Sequence, residues 1–150
     1  MLRQIGDMTV SFGLLEFQMQ EILVYLVNQS AIIGRVLGSY LSFSNLRAAL
    51  STLYEERFDA DELFLELKDL LKEATSIEQE RNAITHSYWI GGKTPLTITR
   101  HKVTARERSG FNPQFQEYSE EKLSAFNQRI KDLTGKFVDF YNKLDKIPSP

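Results

Sequence analysis

Apolar residues recur every three or four positions through five stretches of this chain, and the period breaks once. Residues 4–28 place Met8, Phe12, Leu15, Met19, Ile22 and Leu26 on one helical stripe. Ser30 can cap a short second helix over 31–37, which Gly38 ends. Ser42 or Ser44 can cap a third over 43–57, with Leu46, Leu50, Leu53 and Tyr54 inward. Asp59 or Asp61 opens a long helix reaching about Tyr88, and Gly91-Gly92 stops it. Residues 96–107, LTITRHKVTARE, then change the period: Thr, Ile and Val with partial alternation predict a short β-hairpin. Ser109-Gly110 and Asn112-Pro113 mark a loop. Ser119 caps a last helix to about Lys146, with Leu123, Phe126, Ile130, Leu133, Phe137, Phe140, Leu144 and Ile147 spaced three and four apart. Such a narrow seam packs on other helices at a shallow angle. The fold class expected is all-α: an antiparallel bundle of four main helices, with a β-hairpin over 90–110 before the last. Phe12, Phe17, Phe126, Phe137 and Phe140 are assigned to the core. The Pro-containing tail, 148–150, is expected to fray.

A chain of 150 residues, 42% hydrophobic and 25% charged, is the size and composition of one globular domain. It has no Cys and only two His, so no disulfide or thiolate site is open to it, and neither metal nor cofactor is expected. No segment has the form of a signal peptide. The longest uncharged stretch near the first helix, 22–34, is short for a bilayer span and contains Asn28, Gln29 and Ser30. A soluble cytoplasmic protein with no membrane partner is expected. The net charge of −2 argues against a dedicated non-specific nucleic-acid binder. The charge is segregated, however. Residues 55–81 hold ten acidic and four basic side chains, whereas 90–110 hold Lys93, Arg100, Lys102, Arg106 and Arg108 against Glu107 alone. Those cations can keep a sheet edge soluble or hold RNA phosphates. The second reading assigns Lys93, Arg100 and Lys102 to nucleic-acid binding.

Between the acidic and basic segments lies ERNAITHSYW, residues 80–89. Arg81 falls on the apolar stripe of the long helix, after Leu63, Leu67, Leu70, Ala74 and Ile77 and before Ile84. A buried guanidinium is costly unless paired. Either Glu78 or Glu80 neutralises it, or its stem snorkels outward, or it is held for chemistry. Arg is a bidentate partner for phosphate oxygens, and His moves a proton near neutrality. With a ribose 2′-hydroxyl as nucleophile, Arg81 and His86 form a minimal set for breaking an RNA phosphodiester. Asn82 can orient the imidazole or the substrate. Thr85 and Ser87 are read as structural, Trp89 as a packing residue and His101 as solvated. Arg81 and His86 stand about 140° apart round a helix of 3.6 residues per turn, so a two-fold homodimer is expected to complete the site.

Arg81-Asn82-x-x-x-His86, near the end of a long helix, resembles the R-x(4–6)-H motif of HEPN domains. The continuation His86-Ser87-Tyr88 resembles the R-x4-H-x-Y variant of HEPN toxins paired with nucleotidyltransferase antitoxins. The motif covers eight residues, and the likeness in helical layout covers most of the chain. The resemblance implies a helical bundle, a homodimer that joins two motifs, and metal-independent RNA cleavage leaving a cyclic phosphate. Arg81, His86 and Asn82 would be its catalytic residues. It also implies an antitoxin partner, of nucleotidyltransferase type or another, and Tyr88 as a target for nucleotide transfer. Some HEPN domains bind a nucleotide or a protein without cutting RNA. The ribbon departs from compact members, because it separates the motif widely from the last helix.

Overall fold

The computed structural model describes all residues except Asn28, Gln29, Asp59, 107–109 and 148–150, and it describes side chains outside these and outside 103–113. The expected fraying of 148–150, the alternative cap Asp59 and the loop marker Ser109 therefore lie outside the described residues. The chain is mostly helical: α1 (Leu2–Val27), α2 (Ala31–Ser39), α3 (Phe43–Phe58), α4 (Glu62–Thr85) and α5 (Glu120–Leu144), with strands β1 (Tyr88–Gly91), β2 (Thr97–Arg106) and β3 (Gly110–Ser119) between α4 and α5.

Capping residues set several boundaries. Ser30 accepts from the Ile33 N–H at α2, Asp61 from the Phe64 N–H at α4, and Ser119 from the Lys122 N–H at α5. Ser42 Oγ accepts from the Asn45 N–H at the start of α3. The stripes read from the sequence face inward. Leu123, Phe126, Ile130, Leu133, Phe137, Phe140 and Leu144 of α5 are all buried, as are Met8, Phe12, Leu15, Met19, Ile22 and Leu26 of α1. Each such side chain contributes roughly 1.5–3 kcal/mol of transfer free energy. Phe17 is a correction, for it lies on the outer side of α1 at 47% exposure. Among the described residues α1 is the one helix long and apolar enough to cross a membrane by length and composition. One of its faces is committed to this core.

Helix α1 packs on α2, α3 and α5, and α4 packs on α3 and α5. Their directions differ from the expected antiparallel four. Phe12 meets Phe43 in a tilted ring contact while Arg57 donates to the Tyr25 and Leu26 carbonyls, so α1 and α3 run parallel. Asn127 donates to Gln4, and Tyr25 Oη donates to the Leu144 carbonyl, so α1 and α5 are parallel too. The cause is α2. Gly34 lies against Val24 and Gly38 against Gln20, so the short helix runs antiparallel to α1 and carries the chain part of the way back along it. Counting it, direction alternates along the whole chain.

The largest departure follows α4, which ends at Thr85 with His86 as its C-cap rather than running to Tyr88. Ser-Tyr-Trp-Ile favours a strand, and the segment finds one: β1 pairs antiparallel with β2, Tyr88 opposite His101 and Trp89 opposite Arg100. Strand β3 then pairs with β2 along its length, giving a three-stranded sheet in the order β1-β2-β3. Residues expected in a loop, Asn112 and Pro113, lie within β3 opposite Thr104 and Val103. Proline is compatible with that place because β3 is an edge strand. Gly91 and Gly92 serve the β1–β2 connection instead of ending the helix. A Cβ on Gly92 would stand 2.6 Å from the Thr97 carbonyl carbon, and Leu96 turns the chain at φ 64°.

Glu117 clasps this turn. Its carboxylate accepts from the backbone N–H groups of Lys93 (2.7 Å) and Thr94 (3.3 Å) and from the hydroxyls of Thr94 and Thr97. These bonds, the Lys93 N–H first, hold its pKa below the ordinary carboxylate value. A depressed folded pKa gives stability that is present above the unfolded pKa and lost as pH falls through the folded one. The Lys93 amide should therefore be protected from exchange, relative to its intrinsic rate at each pH, at neutral pH and lose that protection once the pH drops below the usual carboxylate range. Hydrogen exchange read by NMR checks this, and Glu117→Gln should show little protection at either pH.

Candidate functional site

Three carbonyls of the last α4 turn are closed locally. Asn82 O accepts the His86 N–H at 3.1 Å, Arg81 O accepts the Thr85 hydroxyl, and Ala83 O accepts the Ser87 hydroxyl. The structural reading of Thr85 and Ser87 fits these bonds. Trp89 is half-buried, donates Nε1–H to the Ile84 carbonyl at 3.2 Å and meets Tyr118 edge-on, so it packs the helix end onto the sheet.

Arg81 is half-buried, and its guanidinium lies 4.1 Å over the Phe12 ring on α1. It borders a cleft of about 280 Å³ lined by Thr9, Phe12, Gly13, Glu16, Arg81 and Thr85. Neither acidic neighbour on its own helix neutralises it. Glu78 binds Arg47 of α3 at 3.0 Å, and Glu80 lies 3.6 Å from Arg129 of α5. Among the described residues no carboxylate stands at ion-pairing distance from Arg81, and its Nε is buried without a hydrogen-bond partner.

The structure does not gather the motif into one cleft. His86 is exposed at the C-cap and Asn82 is half-buried, and neither lines the Arg81 cleft. Tyr88 stands 74% exposed on the outer face of the sheet. Opposite it is His101, whose ring stacks on Phe115 at 4.5 Å and 4°. His101 is thus half-covered rather than solvated. The row of rings across three strands was hidden in the sequence, because Phe115 sat in a segment read as loop.

The three cations assigned to RNA separate. Lys93 is exposed in the β1–β2 turn. Arg100 and Lys102, two residues apart, share the opposite face of β2 from His101, toward α4. Arg100 is only 7% exposed, and the two border a second cleft with Ser76, Gln79, Glu80 and Ala83 of α4 and Gln114, Gln116 and Tyr118 of β3. Burial and Glu80 raise the Tyr118 pKa, while Arg100 opposes them. A further cleft lies elsewhere, between α4 and α5, where the Lys143–Glu66 and Lys136–Glu73 pairs balance its charge. Among the described residues no group of three or more His, Asp and Glu is placed to hold a metal ion.

No family model, curated protein or solved structure matches this chain.

The unpaired state of Arg81 sets its mutational signature. Arg81→Met strands no carboxylate, and the thioether can replace the guanidinium over Phe12. Its melting temperature should stay within about 3 °C of the parent. Arg47→Met instead leaves Glu78 without its partner and takes a donor from the Thr75 oxygen, whose hydroxyl still donates to the Leu71 carbonyl. It should cost about 2–3 kcal/mol, a fall of roughly 5–10 °C. Thermal melts of the two variants side by side check the contrast; a larger loss at Arg81 would make it a structural residue.

Proposed function

We propose that the chain is a HEPN-type, metal-independent endoribonuclease, of the toxin or defence-effector kind. In this reading α1, α3, α4 and α5 close a four-helix bundle, each touching two others. The observation that carries it is Arg81, a guanidinium on an apolar stripe whose acidic neighbours on its own helix, Glu78 and Glu80, are bound to other arginines. Arg81 steadies the charge that builds on the phosphate, and His86, exposed at the helix end, moves the proton. The ribose 2′-hydroxyl attacks the adjacent phosphorus, and the 5′-oxygen leaves with a proton. Asn82 orients the imidazole or the substrate, and Lys93 adds charge for the RNA backbone. The absence of His86 from the lining of the Arg81 cleft favours a site completed by a second copy. It also suits the rival reading, a non-catalytic module that binds a nucleotide or a protein partner.

An apolar surface supports the second copy. Helix α2 packs on α1 through its glycines and turns Ile32, Ile33, Val36, Leu37 and Tyr40 outward, each 47–85% exposed. Val10, Leu14 and Phe17 of α1 are also exposed. They adjoin Thr9, Gly13 and Glu16, the α1 wall of the Arg81 cleft. The one central cation of this surface, Arg35, is paired with Glu21, which suits a protein partner better than an anionic membrane.

Purified protein should cut single-stranded RNA in EDTA, leave 2′,3′-cyclic phosphate ends and spare DNA of the same sequence. His86→Ala should abolish cleavage. Light scattering should give a dimer, and Val36→Glu should give a monomer that no longer cuts. EDTA inhibition reversed by magnesium would sink the mechanism, and a monomer that still cuts would sink the composite site.

Tyr88 offers an exposed hydroxyl beside the motif. Transfer of a nucleotide to it by a nucleotidyltransferase antitoxin would place negative charge where substrate phosphate enters. Mass spectrometry of the chain co-expressed with such a partner should find the adduct on Tyr88. Loss of toxicity without any adduct there would remove Tyr88 from regulation.

A further inference from the structure

Between α4 and the inner face of the sheet lies a cleft of about 460 Å³, within the range of small-molecule sites. At its wall is Arg100, more than nine-tenths buried, with Nε unpartnered and, among the described residues, no carboxylate at ion-pairing distance. A buried guanidinium in that state is strongly disfavoured unless an anion completes it. Lys102 reaches the same cleft from two residues along β2, and Gln114 and Gln116 enter from the paired strand. Tyr118 Oη donates to Gln116 Oε1 at 3.2 Å, which leaves the Gln116 amide N–H groups to face the cleft as donors. The one acidic wall residue, Glu80, is offset by Arg129 at 3.6 Å. Arg100 and Lys102 therefore present two uncompensated positive charges backed by neutral donors.

We propose that this cleft binds a small phosphate monoester, its dianionic phosphate held by Arg100 and Lys102 and by the Gln116 amide. The charge selects the ligand. Two fixed cations match a dianion, whereas a carboxylate would leave one cation unanswered. The site is separate from the Arg81 cleft and stands whether or not the chain cuts RNA. Arg100 looks inward to α4, on the opposite face of the sheet from Tyr88, so a bound phosphate would also fasten the sheet to that helix.

The test is calorimetric titration of the whole protein with inorganic phosphate and with glycerol 2-phosphate, at constant ionic strength, with acetate as the monoanion control. Both phosphates should bind saturably, one per chain, and acetate roughly tenfold or more weakly. Phosphate should also raise the melting temperature. Lys102→Gln and Gln116→Leu should each weaken phosphate without unfolding the chain, and Arg100→Met should abolish binding wherever it folds. Arg81→Met should bind as the parent does. Non-saturable binding, equal affinity for acetate, or undiminished binding by Lys102→Gln would overturn the proposal. So would Lys102-dependent capture of an RNA oligonucleotide by a chain that ignores both phosphates, because the cleft would then belong to a macromolecular groove.

Discussion

Burial of the α1 stripe is the constraint on which the other elements depend. Met8, Phe12, Leu15, Met19, Ile22 and Leu26 must leave water together, and α3 and α5 pack against α1 to cover them. Polar contacts fix the register at both ends. Asn127 donates to Gln4 near one end of α1, and Tyr25 donates to Leu144 near the other. Phe12 links this packing to the motif, because the same ring that meets Phe43 carries the Arg81 guanidinium. Arg81 is thus held from below by an apolar contact. Its direction is set by the core, and its charge is left to whatever enters the cleft.

Helical stripes were legible in the sequence because a period of 3.6 is a local property of the chain. The α5 seam and the caps at Ser30, Asp61 and Ser119 needed no tertiary knowledge. Helix direction did need it. Nothing within Ala31–Ser39 states that its glycines will face α1, and that contact is what makes α2 a return stroke and α1 parallel to α3. The end of α4 was missed for a similar reason. Residues 86–90 can prolong a helix or pair as a strand, and the choice is made by β2, a segment some ten residues away. Strand β3 was concealed by Asn112-Pro113, a loop signal everywhere except on a sheet edge.

The candidate site was legible to a different degree. Arg81 stood out because a guanidinium on an apolar stripe is a local anomaly, and its lack of an acidic partner is what the structure adds. The pairing of Glu78 and Glu80 with Arg47 and Arg129 spans 31 and 49 residues of chain, beyond the reach of helical spacing. The basic ribbon misled in one respect. Charge density suggested a solvent-facing grip, but strand alternation divides it, with Arg100 and Lys102 on the inner face and His101 on the outer. Alternation alone could have grouped Arg100 with Lys102; which face lies inward was decided by Trp89 and Tyr118 packing together at the foot of α4.

The segregation of charge along the chain has a structural meaning that reconciles these observations. Four of the α4 acids are not a solvated face, although Glu62 and Asp69 remain exposed. Glu66 is bound by Lys143, Glu73 by Lys136 and Arg129, Glu78 by Arg47, and Glu80 by Arg129. These carboxylates line the two sides of α4 and latch it to α3 and α5. Partly exposed pairs of this kind contribute little individually to stability. Their consequence is allocation: Glu78 and Glu80, the α4 acids that flank Arg81 in sequence, are already engaged by cations of neighbouring helices. Arg81 and Arg100 each border a cleft with a buried, unpartnered Nε and, among the described residues, no carboxylate at ion-pairing distance, although Glu16 and Glu80 stand in the walls of those clefts. A helix so acidic would ordinarily neutralise its own cations; by turning its acids outward to α3 and α5, α4 leaves positive charge at both of its open walls, where anions can reach it.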